Sequence, residues 1–170
     1  MLTTSLAFQD ILLEMVPVEH FIATSVSAAD PNYSMTAEIS KKIPNKYRPR
    51  ITVEQVLKYK PDLFLTTPLT NPEVSSTLED MGVKVFMLNQ AETYDDIKKS
   101  IVKLGNLVNE KEKSVAILQK MEAGEKALAE KLAVIPKDKQ KLAIQLTYSG
   151  TYGMLQNIFG IDRKSTRLNS

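Results

Sequence analysis

Few residues in this sequence are of types that catalyse reactions or hold metal ions. The chain of 170 residues has no cysteine and one histidine, so thiolate catalysis and zinc sites of the cysteine type are excluded. Neither a glycine-rich phosphate-binding motif nor a Gly-x-Ser-x-Gly nucleophile elbow is present. Carboxylates such as Asp95 and Asp96 stand where helices are predicted to start, and there capping and the helix dipole account for them. The residue types therefore favour binding over catalysis.

The candidates for binding are instead polar and aromatic side chains in predicted loops. Tyr47 and Arg48 lie in a long, weakly patterned connection that extends to Arg50, and a connection of that length in a compact domain is usually functional. A phenolate is a hard oxygen donor, and a guanidinium can bind an acidic group through two hydrogen bonds. In the alternative interpretation, Tyr47 packs beneath the loop and Arg48 is solvated.

The elements that position these loops are clearest over residues 52–67. Thr52 and Gln55 have the spacing of a capping box, which starts a short helix, and Pro61 ends that helix. The apolar run over residues 63–65 then shows no polar alternation, which is typical of a strand buried on both faces of a parallel sheet.

The residues directly after this strand are further candidates for ligand contacts. They are Thr66, Thr67 and Pro68. In open α/β sheets, ligands bind outside the carboxyl ends of the strands, which is where these residues are predicted to lie.

Hydrophobic periodicity predicts that helices and strands alternate along the chain. Ser5 is placed to cap a first helix, whose apolar residues fall at helical spacing from position 8 to position 16. Further helices are predicted over 72–82, 94–108 and 154–159, and further strands over 21–24, 83–88 and 142–147. Together with a strand that ends near Ser5, this pattern predicts an α/β fold with a doubly wound, mostly parallel sheet.

A longer helix is predicted beyond residue 108. Asn109 and Glu112 have the spacing of a capping box, and an apolar seam then continues to Ile135. Such a helix extends roughly 35 to 40 Å, which is too long for one side of a small sheet, so we expect it to pack against a second body. The predicted organisation is a first α/β lobe over 1–108, a linking helix over 109–136 and the start of a second α/β lobe over 137–163. Residues 164–170 show no hydrophobic period and are expected to be a non-native tail.

Charge and hydropathy limit the possible partners. The 22 basic and 20 acidic residues leave the chain near neutrality, so no nucleic-acid or anionic-membrane footprint is present. No run reaches the roughly 18 to 20 apolar residues that cross a bilayer, and the first residues lack the pattern of a signal peptide. We expect the chain to be truncated at both ends.

Part of the sequence resembles a known family. Residues 53–65 and 71–88, with the helices after them, are similar to the first lobe of the substrate-binding proteins of ABC importers for iron-siderophores, haem and cobalamin. The resemblance covers roughly residues 2 to 162 and lies in the order of the segments. It implies a two-lobed protein, joined by a long helix, that encloses a metal chelate and delivers it to membrane permease subunits. It also implies no permanently bound cofactor, and a location in the periplasm or, as a membrane-anchored lipoprotein, outside the cell.

The same resemblance implies which residues contact the ligand. Tyr47 falls on the position where haem-binding members supply a tyrosine oxygen to iron, although Lys46 stands where those members usually have a glycine. Arg48 falls near an arginine that contacts hydroxamate siderophores. The complete set of candidate ligand-binding residues is Ser5, Tyr33, Tyr47, Arg48, Thr66, Thr67, Pro68, Tyr148, Ser149 and Tyr152.

Three of these candidates have a simpler interpretation. Tyr148, Ser149 and Tyr152 also fit turn chemistry around neighbouring glycines. His20 is expected to be structural, and a single histidine argues against the relatives that bind bare zinc or manganese, so no metal site is expected. The chain has no tryptophan to stack on a corrin ring.

The alternative hypothesis is an enzyme on a related chelatase-like, nitrogenase-like or flavodoxin-like α/β scaffold. A change in visible absorbance on adding ferric chelates or haem would support the binding protein, whereas turnover of a small substrate would support the enzyme.

Overall fold

The computed structural model describes residues 1–48, 50–91, 93–136, 139, 143–149 and 152–159, the last two ranges by their backbone. The chain divides into two compact units, Met1–Met121 and Glu122–Ser170. The borders that the sequence suggests for the lobes and the linking helix stay predictions, and the expected tail over 164–170 lies outside the described residues.

The first unit contains a sheet of five parallel strands. They are β1 Leu2–Thr3, β2 Ala23–Ser25, β3 Asn45–Tyr47, β4 Leu63–Thr66 and β5 Lys84–Met87. Their order across the sheet is β3-β2-β1-β4-β5, and every pair is parallel. The chain winds outward from β1 on one side and returns to β4 on the other, so the direction of winding switches between β1 and β4. The predicted doubly wound α/β fold is confirmed.

Helices cover both faces of this sheet. They are α1 Leu6–Leu13, α2 Ala37–Ser40, α3 Val53–Tyr59, α4 Pro72–Asp80, α5 Tyr94–Leu107 and α6 Lys111–Ala133, the last of which begins in the first unit. Residues from α1 and α5 pack in one apolar cluster and residues from α3 and α4 in another. Short 3-10 helices, Val18–His20 and Val26–Ala29, lie in the connections. Among the described residues, no helix is both long and apolar enough to cross a membrane.

Strand β4 separates the two apolar clusters. All four of its residues are buried. Leu65 packs in the cluster with α1 and α5, whereas Phe64 packs in the cluster with α3 and α4, and both side chains are 0% exposed. The burial of alternate side chains on opposite faces confirms the prediction drawn from the uninterrupted apolar run.

The start and end of α3 follow from local sequence. The Thr52 hydroxyl accepts from the Gln55 amide at 3.3 Å, and the Gln55 side chain accepts from the Thr52 amide at 3.2 Å, which confirms the predicted capping box. Lys60 then takes a left-handed conformation with φ 51°, and this ends the helix before Pro61.

The connection before α3 is more ordered than the sequence indicates. Residues that were expected to form a loop include α2 and the edge strand β3, which pairs with β2 from Asn45 to Tyr47. Strand β2 itself begins at Ala23 and ends at Ser25, two residues later than its predicted start. A three-residue polar edge strand carries almost no periodic signal, so only its pairing with β2 identifies it.

The predicted capping box at Asn109 is wrong. Asn109 has φ 60°, outside the extended region that an N-cap adopts, and it lies at the end of α5. The Glu110 amide donates to the Gly105 carbonyl at 2.7 Å, and the Asn109 amide donates to the Asn106 carbonyl at 3.4 Å. These two bonds form a Schellman motif, which needs a residue in the left-handed conformation directly after the helix end. Asparagine tolerates this conformation.

Helices α5 and α6 approach closely after this turn. A Cβ atom built on Gly105 lies 2.5 Å from Cβ of Ser114, closer than two carbon atoms can pack. Gly105 and Ser114 are both buried. Only a residue without a side chain fits at position 105.

The second unit contains an antiparallel hairpin. Its strands are β6 Ala143–Ser149 and β7 Tyr152–Phe159, with Ser149 opposite Tyr152. The helix predicted over 154–159 is therefore wrong. The register shifts beside Gln145, and this irregularity disturbs the alternation that identifies a strand in sequence.

Candidate functional site

A cavity of about 1060 Å³ opens in the first unit at the carboxyl edge of the sheet. Its walls come from the loops after all five strands and from the helices that follow β1, β2, β3 and β4. Because the winding of the sheet switches between β1 and β4, the loops after these strands diverge and leave a crevice. We call this cavity the cleft. It is lined by Thr4, Ser5, Leu6, Ala7, Ser25, Ser27, Tyr47, Arg50, Ile51, Thr52, Val53, Glu54, Thr67, Leu69, Thr70, Asn71, Glu73, Val74, Thr77 and Gln90.

Three threonine hydroxyls meet at the base of the cleft. The Thr4 hydroxyl lies 3.2 Å from that of Thr66 and 3.2 Å from that of Thr70. This threonine cluster joins the loops that follow β1 and β4, the two strands on either side of the switch point. Thr66 is 0% exposed, whereas Thr4 and Thr70 line the cleft. The cluster therefore fixes the floor of the cleft and presents hydroxyls that both donate and accept hydrogen bonds.

Ser5 lies in the wall where the sequence places it. Its hydroxyl accepts from the Phe8 amide at 3.4 Å and so caps α1. Thr67 is buried and also lines the cleft, while Pro68 is exposed and does not. Of the candidates after β4, Thr67 faces the cleft and Thr66 supports its floor.

Tyr47 lines the cleft but is packed into the core. It is 5% exposed, and its hydroxyl donates to the Thr3 carbonyl. Burial, followed by the charge of Tyr59, raises the pKa of Tyr47 well above its usual range. A protonated, hydrogen-bonded phenol is poorly suited to ligating iron as phenolate. The geometry favours the packing interpretation of this residue over the ligand interpretation.

Arg48 and Arg50 differ in their relation to the cleft. Arg48 is exposed and does not line it, whereas Arg50 does. Arg50 has φ 68°, a left-handed conformation, and it forms no salt bridge within the part of the chain that the structure describes. Sequence reasoning missed Arg50 because nothing in the pattern of the loop reports that backbone conformation.

The remaining candidates lie away from the cleft or outside the described side chains. Tyr33 is 69% exposed in the loop before α2 and does not line the cleft. Tyr148, Ser149 and Tyr152 are strand residues of the second unit, and their side chains lie outside the described residues.

The described residues contain no group of three or more histidine, cysteine, aspartate or glutamate side chains that could hold a metal ion. His20 is exposed at the end of the first 3-10 helix rather than at the start of a strand, and it does not line the cleft. Among the described residues, the cleft wall offers a ligand hydroxyls, amides and apolar groups, and its charged side chains are Arg50, Glu54 and Glu73.

The family model for the periplasmic binding proteins matches residues 4–160. This match covers nearly the whole chain and includes the strands β2 to β5 of the sheet. The chain belongs to the periplasmic binding protein family.

A curated relative is similar to part of the chain. It is the uncharacterized ABC transporter substrate-binding lipoprotein YvrC of Bacillus subtilis, 28% identical over 104 residues, which cover 59% of this chain and 33% of that protein.

Solved structures of periplasmic binding proteins share the fold. A periplasmic haem-binding protein from Pseudomonas aeruginosa superposes with a TM-score of 0.66 at 18% identity, over 78% of this chain and 46% of that one. The periplasmic haem-binding protein BhuT, solved with two haems, superposes with a TM-score of 0.67 at 15% identity, over 81% of this chain and 52% of that one. At this level of identity the likeness shows the fold. The chain spans about half the length of these structures or less.

Proposed function

We propose that this chain supplies the first lobe, and one wall of the ligand site, of the substrate-binding component of an ABC importer for iron chelates, haem or cobalamin. The observation that carries the proposal is the cleft at the switch point of the sheet, in a chain that belongs to the periplasmic binding protein family. The lipoprotein relative and the haem-binding structural neighbours support it.

In this proposal the protein binds and releases its ligand without changing it. The whole protein encloses the chelate between two lobes and presents it to the permease subunits of the importer. It holds no permanent cofactor and acts in the periplasm or, as a lipoprotein, on the outer side of the membrane. The uncharged hydroxyls of the cleft wall suit reversible capture, because hydrogen bonds of that kind are individually weak.

Filling the cleft with a side chain tests this function. Thr77 lies on α4 and lines the cleft, and its neighbour Ser76 is exposed on the same helix outside it. We expect Thr77→Trp to weaken binding of a ferric chelate by tenfold or more, about 1.4 kcal/mol, because the indole occupies the ligand's volume. Ser76→Trp, the matched control, leaves affinity unchanged.

Equilibrium dialysis against a ferric trihydroxamate, haem and cobalamin measures this difference. Loss of binding with Thr77→Trp alone supports the cleft as the ligand site. Equal affinities for Thr77→Trp and Ser76→Trp contradict the assignment of the site, and absence of binding for all three ligands contradicts the function.

A further inference from the structure

The most exposed large apolar side chain of the described cleft wall is Leu69. It is 79% exposed, whereas Leu6, Val53 and Val74 of the same wall are half-buried and Ile51 is buried. An exposed leucine is ordinary on a protein surface, but Leu69 lies in the cavity that the ligand is proposed to fill. Its apolar surface stays in contact with water until another molecule covers it.

The turn that carries Leu69 is anchored on both sides of this residue. The Thr70 amide donates to the Thr67 carbonyl at 3.0 Å, which closes a turn over residues 67–70, and Thr67 itself is buried. The Thr70 hydroxyl lies 3.2 Å from that of Thr4, so the threonine cluster joins the turn to the floor of the cleft. Because these contacts already fix the backbone around Leu69, a ligand that covers this side chain has little ordering left to impose.

Two valines add apolar surface to the same wall. Val53 of α3 and Val74 of α4 pack against the apolar cluster that these two helices share, and both also line the cleft. A ligand that fills the cleft therefore meets apolar groups from α3, α4 and the turn, in addition to the hydroxyls at the floor.

We propose that Leu69 is a specificity-determining residue that selects chelates with an apolar face, and that Thr70 is the residue that positions it. The inference rests on the proposed function and adds the class of surface that the ligand presents. Binding covers Leu69 and removes its side chain from water, so the affinity rises with the apolar surface of the chelate. The hydroxyls of the floor bind polar groups of the ligand and do not discriminate in this way.

Two neutral ferric trihydroxamates provide the test. They share one iron-binding geometry and differ in their side groups, which are apolar in one chelate and hydroxylated in the other. Equilibrium dialysis against the chain should show tighter binding of the apolar chelate. We expect Leu69→Ser to lower the affinity for the apolar chelate by roughly five- to tenfold, and that for the hydroxylated chelate by less than about twofold. In calorimetric titrations at several temperatures, the negative heat-capacity change on binding the apolar chelate should become smaller in the variant, because less apolar surface is buried.

Met81→Ser is the matched control. Met81 is 58% exposed at the end of α4 and does not line the cleft, so its replacement should leave both affinities unchanged. Three results overturn the inference and leave the proposed function standing: equal wild-type affinities for the two chelates, equal losses for both chelates in Leu69→Ser, or the same loss in Met81→Ser as in Leu69→Ser. If neither chelate binds, the inference is overturned, and dialysis against haem and cobalamin decides whether the proposed function falls with it.

Removal and rescue of the Thr70 hydroxyl test the positioning role. Thr70→Val removes the group that contacts Thr4, and we expect it to weaken binding of the apolar chelate by roughly two- to fivefold, since the turn no longer holds Leu69 in one place. Thr70→Ser keeps a hydroxyl and should restore the affinity. If the Thr70 hydroxyl instead binds the ligand directly, Thr70→Val weakens binding of both chelates equally, and the positioning role is refuted.

Discussion

Replacing Tyr47 by phenylalanine separates a packing role from an iron-binding role. The change removes the hydroxyl that donates to the Thr3 carbonyl and keeps the ring in the core. A neutral hydrogen bond contributes about 0.5 to 1.5 kcal/mol, so we expect Tyr47→Phe to lower the free energy of unfolding by about 1 kcal/mol. For a chain of this size the midpoint of thermal unfolding then falls by roughly 2 to 4 °C.

The loss of stability caused by Tyr47→Phe depends on pH. The raised pKa of Tyr47 sets the direction of this dependence. The folded state holds the phenolic proton more tightly than the unfolded chain does, because burial disfavours the phenolate. The resulting stability is fully present below the ordinary tyrosine pKa of about 10 and is lost as pH rises above it towards the higher folded value. Tyr47→Phe has no such proton to lose. Urea unfolding should therefore show a constant difference between wild type and variant up to about pH 9, and a smaller one above about pH 10.

Tyr59→Phe is the matched control. The Tyr59 hydroxyl is 3.4 Å from the Lys46 carbonyl in a partly buried site, so its removal should cost less than that of the Tyr47 hydroxyl. Haem titration followed by absorbance provides the decisive comparison. If Tyr47→Phe leaves stability unchanged and abolishes the charge-transfer band of bound ferric haem, the packing interpretation is refuted and Tyr47 is an iron ligand.

Three further predictions concern the core, the turn and the long helix. Leu65→Asp should lower the free energy of unfolding by several kcal/mol, since it buries an unpaired carboxylate in β4, while Leu69→Asp at an exposed position should change it by less than about 0.5 kcal/mol; urea unfolding of both variants checks this. Gly105→Ala should destabilise the first unit because the added Cβ meets Ser114. Gly124→Ala, which adds a methyl group into open space, should stabilise α6 by up to about 1 kcal/mol. In thermal unfolding, the midpoint should fall for Gly105→Ala and rise for Gly124→Ala. The exposed apolar side chains of α6, among them Leu128 at 57% exposure, should make the chain associate at high concentration. Leu128→Lys should reduce this association. A wild-type chain that remains a compact monomer in analytical ultracentrifugation contradicts the prediction.

Parts of the fold were predictable because their signals are local. Strand β4 has an apolar run without alternation, and α3 has a capping box within four residues, so each is determined by its own sequence. The position of the cleft followed from one such strand together with the general rule for parallel sheets.

The errors fall where partners outside the segment decide the structure. Strand β3 exists because it pairs with β2, and the hairpin strand β7 exists because it pairs with β6. Asn109 fits the pattern of a helix start but serves a helix end, since its side chain tolerates φ 60° there. The choice between Arg48 and Arg50 depends likewise on a left-handed backbone that the sequence does not report.

The threonine cluster has a consequence for how the protein folds. Its two contacts join residues that are 62 and 66 positions apart and connect the neighbouring strands β1 and β4 through the residues at their carboxyl ends. A chain that lacks β4 has no floor for the cleft, and closing so long a loop is slow compared with forming any of the helices. Binding competence should therefore be among the last properties to appear during refolding. A bound ligand, in turn, should slow amide hydrogen exchange throughout β1 and β4 by one common factor, because opening the floor requires these strands to separate.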